Sequence, residues 1–147
     1  RKLALAFPDL KFKIYENPLY DFQNFERCKD AKPASEWENI VLTANLVDDK
    51  KMQQEYVDYH KTQFEKWPEI AKGFCNADFQ QLQVFKNGRQ LMLVISIPKG
   101  EDLDKLNPKT TENNPRVDDW NALMKKYQTG IKDAKAGETW IFLKNIK

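Results

Sequence analysis

The chain has 147 residues, 41% hydrophobic and 12% aromatic, which fits one globular domain with its own core and excludes a disordered chain. A formal net charge of only +2 excludes an electrostatically driven nucleic-acid binder. The longest apolar run, Leu91–Ile97, falls far short of the ~20 residues that cross a bilayer, so no membrane span is expected.

Residues 1–38 differ in texture from the rest. Leu10, Phe12 and Ile14 alternate with Lys11, Lys13 and Tyr15 in a short strand pattern, and Asp21–Ala31 suits a helical turn or two. Six aromatics, Phe7, Phe12, Tyr15, Tyr20, Phe22 and Phe25, make a poor solvated tail. The segment therefore reads as an N-terminal extension packed on a main domain of residues 39–147. Ile40–Val47 is apolar and β-branched enough for a strand, and Asp48-Asp49 offers capping oxygens to a long helix. Met52, Tyr56, Tyr59, Thr62 or Gln63, Phe64 and Trp67 recur at three- and four-residue steps along that helix, which Pro68 kinks or interrupts before a restart through Ile70 and Phe74.

Phe79–Lys86 and Gln90–Ile97 flank Asn87-Gly88, a hairpin signal because both residues tolerate positive φ. The run Leu91–Ile95 is apolar on both faces and belongs in the middle of a sheet. Pro98 to Pro115 reads as a polar loop. Val117, Trp120, Met124, Tyr127 and Ile131 then form one stripe of a second helix, Gly130 and Gly137 bracket a polar stretch, and Thr139–Leu143 makes a last strand. The order β-α-β-β-α-β predicts an α+β, ferredoxin-like sandwich with a four-stranded antiparallel sheet. Its helices cover one face, and the other calls for a partner subunit, hence a homodimer, or for the extension.

Cys28 and Cys75 are far apart and without companions, so a cysteine zinc site is excluded, while one disulfide and two buried thiols both fit. His60 is the only histidine, and imidazole suits proton transfer near neutrality. Tyr56 lies four residues before it, on the same helical face. A lone histidine or tyrosine on such a face is more often a packed structural residue. Trp120 likewise reads first as core, yet an indole is also a platform for the apolar face of a sugar ring, with Asn121 beside it as a hydrogen-bonding amide. Trp67-Pro68-Glu69 reads as packing at a helix break. There is no GxSxG elbow, Walker A loop, GxGxxG or HExxH.

Taken together, Glu55-Tyr56-x-x-x-His60, Trp67-Pro68-Glu69-Ile70, Asn114-Pro115-Arg116, Asp119-Trp120-x-x-x-Met124 and Trp140-x-Phe142-Leu143 resemble the L-rhamnose mutarotase family from Ile40 to the C-terminus. The resemblance implies a ferredoxin-like domain that dimerises through its sheets, the dimeric α+β barrel type. It also implies a metal-free and cofactor-free isomerase that interconverts the α and β anomers of a monosaccharide, a 6-deoxy sugar such as L-rhamnose or L-fucose. His60 would be the proton donor, Tyr56 a substrate-contacting phenol and Trp120 the stacking surface. The compartment implied is cytoplasmic, while the absence of an initiator Met leaves a periplasmic or secreted protein open.

The chain also departs from the family pattern. Trp120-Asn121 stands where two adjacent tryptophans are common, and Gln80, Gln81 and Gln83 lie where some members carry a strand tyrosine. The gap from His60 to Trp67 is longer than in some members. Asn121 and Gln81 are therefore expected to meet a more polar face of the sugar. The alternatives are a non-catalytic sugar-binding member and a small cofactor-free oxygenase of the same fold.

Overall fold

A computed structural model describes residues 2–31 and 33–144. A short helix, α1 (Lys2–Ala6), precedes a segment in which Leu10, Phe12 and Ile14 are exposed and form no strand. Alternation there finds no backbone partner, because the available sheet edge is taken by β1 (Tyr20–Gln23). That strand buries Tyr20 and Phe22 and runs directly into α2 (Asn24–Arg27). The aromatics of the first 38 residues are thus divided, with Phe7, Phe12 and Phe25 facing solvent.

β2 (Trp37–Leu46) leads to α3 (Lys50–Lys61), whose first turn is capped by the Asp49 carboxylate accepting from the Met52 amide at 3.0 Å. The helical pattern then breaks twice. A single turn, α4 (Gln63–Lys66), is followed by Trp67 with an extended φ of −133°, and Pro68 opens α5 (Pro68–Asn76). Proline disfavours helical backbone in the residue before it and is well placed at a first helical position, which explains both features.

β3 (Gln81–Asn87) and β4 (Gln90–Pro98) form the expected hairpin, but its two loop residues are Gly88 and Arg89. Only Gly88 takes a positive φ, at 60°, as a turn with glycine at its first central position requires. The stretch read as a loop between Pro98 and Pro115 contains α6 (Leu103–Leu106) and a 3-10 turn at Asn107–Thr110. Leu106 and Thr110 are buried there, so this segment is part of the core. Gly73 in α5 lets the turn approach: a Cβ there would lie 2.5 Å from the Thr110 carbonyl oxygen. α7 (Pro115–Lys125) carries Val117, Trp120 and Met124 inward, while Ile131 lies beyond its end.

Among the described residues the sheet is antiparallel throughout and has six strands in place of the expected four. Its order is β1-β3-β4-β2-β5, with β6 (Ile141–Leu143) also pairing β2. One extra strand is β1, added to the edge of β3. The other is β5 (Gln128–Thr129), which exists because the last strand is divided by the excursion between Gly130 and Gly137. At Gly130 the chain folds back so closely that a Cβ would lie 2.5 Å from the Glu138 carbonyl oxygen. Tyr20, Phe22, Leu42, Leu82, Val84, Leu91 and Ile95 point to the face covered by α3, α5 and α7 and build one core with them. A disulfide between Cys28 and Cys75 resolves the choice left open by the sequence and ties the end of α2 to α5.

Candidate active site

A cavity of about 510 Å³ lies between the inner face of the sheet and the helices. Period-two alternation sends Leu42, Leu82, Val84, Leu93 and Ile95 to its floor, and α3, α4 and α7 supply Tyr56, His60, Gln63 and Trp120 as walls. Asn107, Thr110 and Thr111 line it from the segment before α7, Gln128 from β5 and Trp140 from just before β6. Among the described residues no Asp or Glu lines it, and no group of three or more His, Cys, Asp or Glu comes close enough to hold a metal ion.

His60 is 7% exposed. Its Nδ1 lies 2.9 Å from the Tyr56 carbonyl oxygen, one helical turn back. A carbonyl only accepts, so Nδ1 carries the proton and Nε2 keeps the free lone pair. Burial lowers the pKa of His60 to about 4, opposed by that backbone hydrogen bond. The imidazole is therefore neutral at pH 7, a base before it is an acid.

Aromatic rings hold it in place. Tyr56 is tilted over it at 4.2 Å between centroids, and Trp120 and Tyr20 approach edge-on at 5.2 and 5.7 Å. Burial raises the pKa of the Tyr56 phenol above its ordinary range, opposed by a hydrogen bond with Gln128. The Gln128 side-chain amide oxygen in turn accepts from the Trp140 indole at 3.2 Å. Behind Trp120, Trp67 packs edge-on at 5.4 Å and carries the Arg116 guanidinium 3.7 Å above its ring. Trp67 thus buttresses the wall without lining the cavity.

Of the five site residues expected from sequence, Tyr56, His60 and Trp120 meet in the cavity, and Asn121 stands exposed at its rim. Gln81 does not join them. It points to the opposite face of the sheet, where Gln23 donates to Gln81, Gln81 to Ser96 and Ser96 to the Asn39 side-chain oxygen, across four strands at 2.9, 3.0 and 2.6 Å. Strand alternation fixes this, because Leu82 and Val84 face the cavity and their odd-numbered neighbours cannot. Tyr20, Gln63, Gln128 and Trp140 were missed. Gln63 lies three residues after His60, a helical spacing that was a usable signal, whereas Tyr20, Gln128 and Trp140 have no such spacing and reach the cavity only through β1, β5 and the approach to β6.

The neutral state of His60 has a consequence for acid stability. The unfolded chain takes this proton near pH 6.5 and the folded chain resists until about pH 4, so between those values unfolding takes up a proton. The contribution of His60 to stability is complete above pH 6.5 and falls as the pH drops through the window. The total loss reaches about 3 kcal/mol at pH 4. Urea unfolding at half-unit pH steps should show this slope in the wild type and lose it in His60→Gln. An equal slope in both proteins would assign the acid sensitivity elsewhere.

The sequence resemblance and this geometry meet in one finding: residues 39–146 match the L-rhamnose mutarotase family. The chain belongs to that family. The match begins within β2 and takes in every element from there to β6, while β1 and α2 lie outside it. An L-fucose mutarotase of Xanthomonas campestris is 27% identical over 104 residues, 70% of this chain and 81% of the relative. A UPF0734 protein of Dictyostelium discoideum is 28% identical over 108 residues, 71% of this chain and 84% of the relative. Membership supports sugar mutarotase activity of the isomerase type on a monosaccharide. Among the described residues no helix is long and apolar enough to cross a membrane.

Proposed function

We propose that the chain accelerates interconversion of the α and β anomers of a 6-deoxy aldose such as L-fucose or L-rhamnose, with His60 moving the proton and no cofactor. The observation that carries the reading is the neutral imidazole of His60, its Nδ1 occupied by the Tyr56 carbonyl, in a cavity without carboxylates. Nε2 takes the proton of the anomeric hydroxyl while the bond from the anomeric carbon to the ring oxygen breaks and a carbonyl forms. The electron pair of the broken bond goes to the ring oxygen, and the imidazolium returns the proton there. Rotation about the bond to the next carbon and reversal of these steps give the other anomer. Positioned proton transfer of this kind contributes ~10²–10⁴-fold. Trp120 offers the apolar wall, and Tyr56 and Asn121 the polar contacts.

Saturation transfer between the anomeric protons of L-fucose, L-rhamnose and common aldoses tests the reading. Faster exchange with catalytic amounts of protein is expected for at least one 6-deoxy sugar. Sugar binding without faster exchange would select a non-catalytic binding member instead.

We also propose that two copies associate through the outer face of the sheet in the ferredoxin-like manner. Val41, Met92, Val94 and Ile141 sit there half-buried around the amide ladder that includes Gln81. Light scattering across a concentration series should give the dimer mass, and a monomer at every concentration would refute it.

A further inference from the structure

Four buried side-chain polar atoms lack a hydrogen-bond partner among the described residues: the Tyr20 hydroxyl, Gln63 Oε1, Asn24 Oδ1 and Glu69 Oε2. A buried orphan polar group is costly, so each asks for an occupant. Two of the four, on Tyr20 and Gln63, belong to residues lining the cavity that holds His60. Tyr20 is 4% exposed and Gln63 2%, so neither meets bulk water.

Their chemistry is complementary. A phenol held in its neutral form offers a proton, and an amide oxygen accepts one. Burial, the largest influence on Tyr20, keeps it neutral far above physiological pH. A sugar hydroxyl both accepts and donates, so it is the kind of group that can partner either atom. Tyr20 stacks on Phe64 at 5.1 Å and meets His60 edge-on at 5.7 Å, which holds the phenol beside the reacting imidazole.

Tyr20 lies outside the stretch that matches the family. Its strand is nevertheless firmly placed. Tyr20 pairs with Val84, the Leu19 amide donates to the Val84 carbonyl at 2.7 Å, and Phe22 is fully buried against Phe74. The Asn24 amide side chain donates to the Phe79 carbonyl at 3.0 Å, and the Cys28–Cys75 disulfide follows.

We propose that Tyr20, carried in by the N-terminal segment, and Gln63 form a hydroxyl-binding subsite of the cavity that selects the sugar by one of its non-anomeric ring hydroxyls. This rests on the sugar-mutarotase reading above and adds to it a specificity-determining pair, of which Tyr20 lies outside the family match.

Sugar affinity of the wild type, Tyr20→Phe and Gln63→Leu is the measurement, by NMR titration with L-fucose, L-rhamnose and analogues singly deoxygenated at ring positions two, three and four. The wild type should bind one deoxy analogue roughly three- to tenfold more weakly than its parent, the size of one or two neutral hydrogen bonds. Tyr20→Phe should bind the parent more weakly by a similar factor and no longer distinguish it from that analogue. This loss of discrimination is what a merely structural tyrosine would not produce. Thermal stability of Tyr20→Phe should equal or exceed that of the wild type, because the substitution removes an orphan hydroxyl.

Should Tyr20→Phe fail to fold, the same comparison with Gln63→Leu decides. Unchanged discrimination in the folded variants overturns the subsite, while faster anomer exchange by the wild type leaves the mutarotase reading standing. A wild type that neither binds nor interconverts any of the sugars overturns both.

Discussion

Replacing His60 by Gln should lower the protein-dependent rate of anomer exchange by ~10²–10⁴-fold while leaving the fold intact. Glutamine is polar and of similar size, so it keeps the wall between Tyr56 and Trp120 closed but cannot take a proton and return it. The residual rate would come from positioning in the cavity. The pH dependence gives an independent reading of the same group. A base that must be neutral, with a pKa lowered to about 4 by burial, stays competent from pH 7 down to about pH 5. The rate should then fall about tenfold per unit below pH 4 as the imidazole becomes protonated. Exchange at full wild-type rate with His60→Gln would remove His60 from the chemistry. A rate that falls already below pH 6.5 would mean that bound sugar restores the ordinary pKa of the ring.

The second large effect concerns the Cys28–Cys75 bridge, which closes a loop of sequence separation 47. In the chain-entropy description a loop of this size restricts the unfolded chain by about 4 kcal/mol, a large share of the 5–15 kcal/mol that separates folded from unfolded domains. The Cys28→Ser/Cys75→Ser double variant should melt roughly 10–15 °C below the oxidised wild type. A reductant should lower the wild-type melting temperature by the same amount and leave the double variant unmoved. A shift under about 3 °C would show that packing of Phe22 and the pairing of β1 hold the segment without the bridge. The bridge anchors the one strand that carries Tyr20, so its removal should also weaken sugar binding.

What the sequence alone determined was local. The Asp48-Asp49 cap, the break before Pro68, the hairpin at Gly88 and the stripe of Val117, Trp120 and Met124 each depend on neighbours within a few residues. The one-turn spacing of Tyr56 and His60 is likewise a property of any helix, so their meeting was legible before the fold was known. The relation to the mutarotase family was legible for the same reason, because it rests on short runs in a fixed order.

Tertiary structure alone decided the rest. Leu10, Phe12 and Ile14 alternate as well as Tyr20 and Phe22 do, yet only the latter pair found a free sheet edge and a core to enter. Alternation states that two faces exist and not which one is buried, so Gln81 fell on the outer face once β3 took its register against β4. Leu106 and Thr110 became core because α5 allows close approach at Gly73, a contact between elements that no local pattern announces. Tyr20 reaches His60 from a distant strand, and burial then sets the charge state of the imidazole. Residues distant in sequence acquire their chemistry only when the fold removes water from between them.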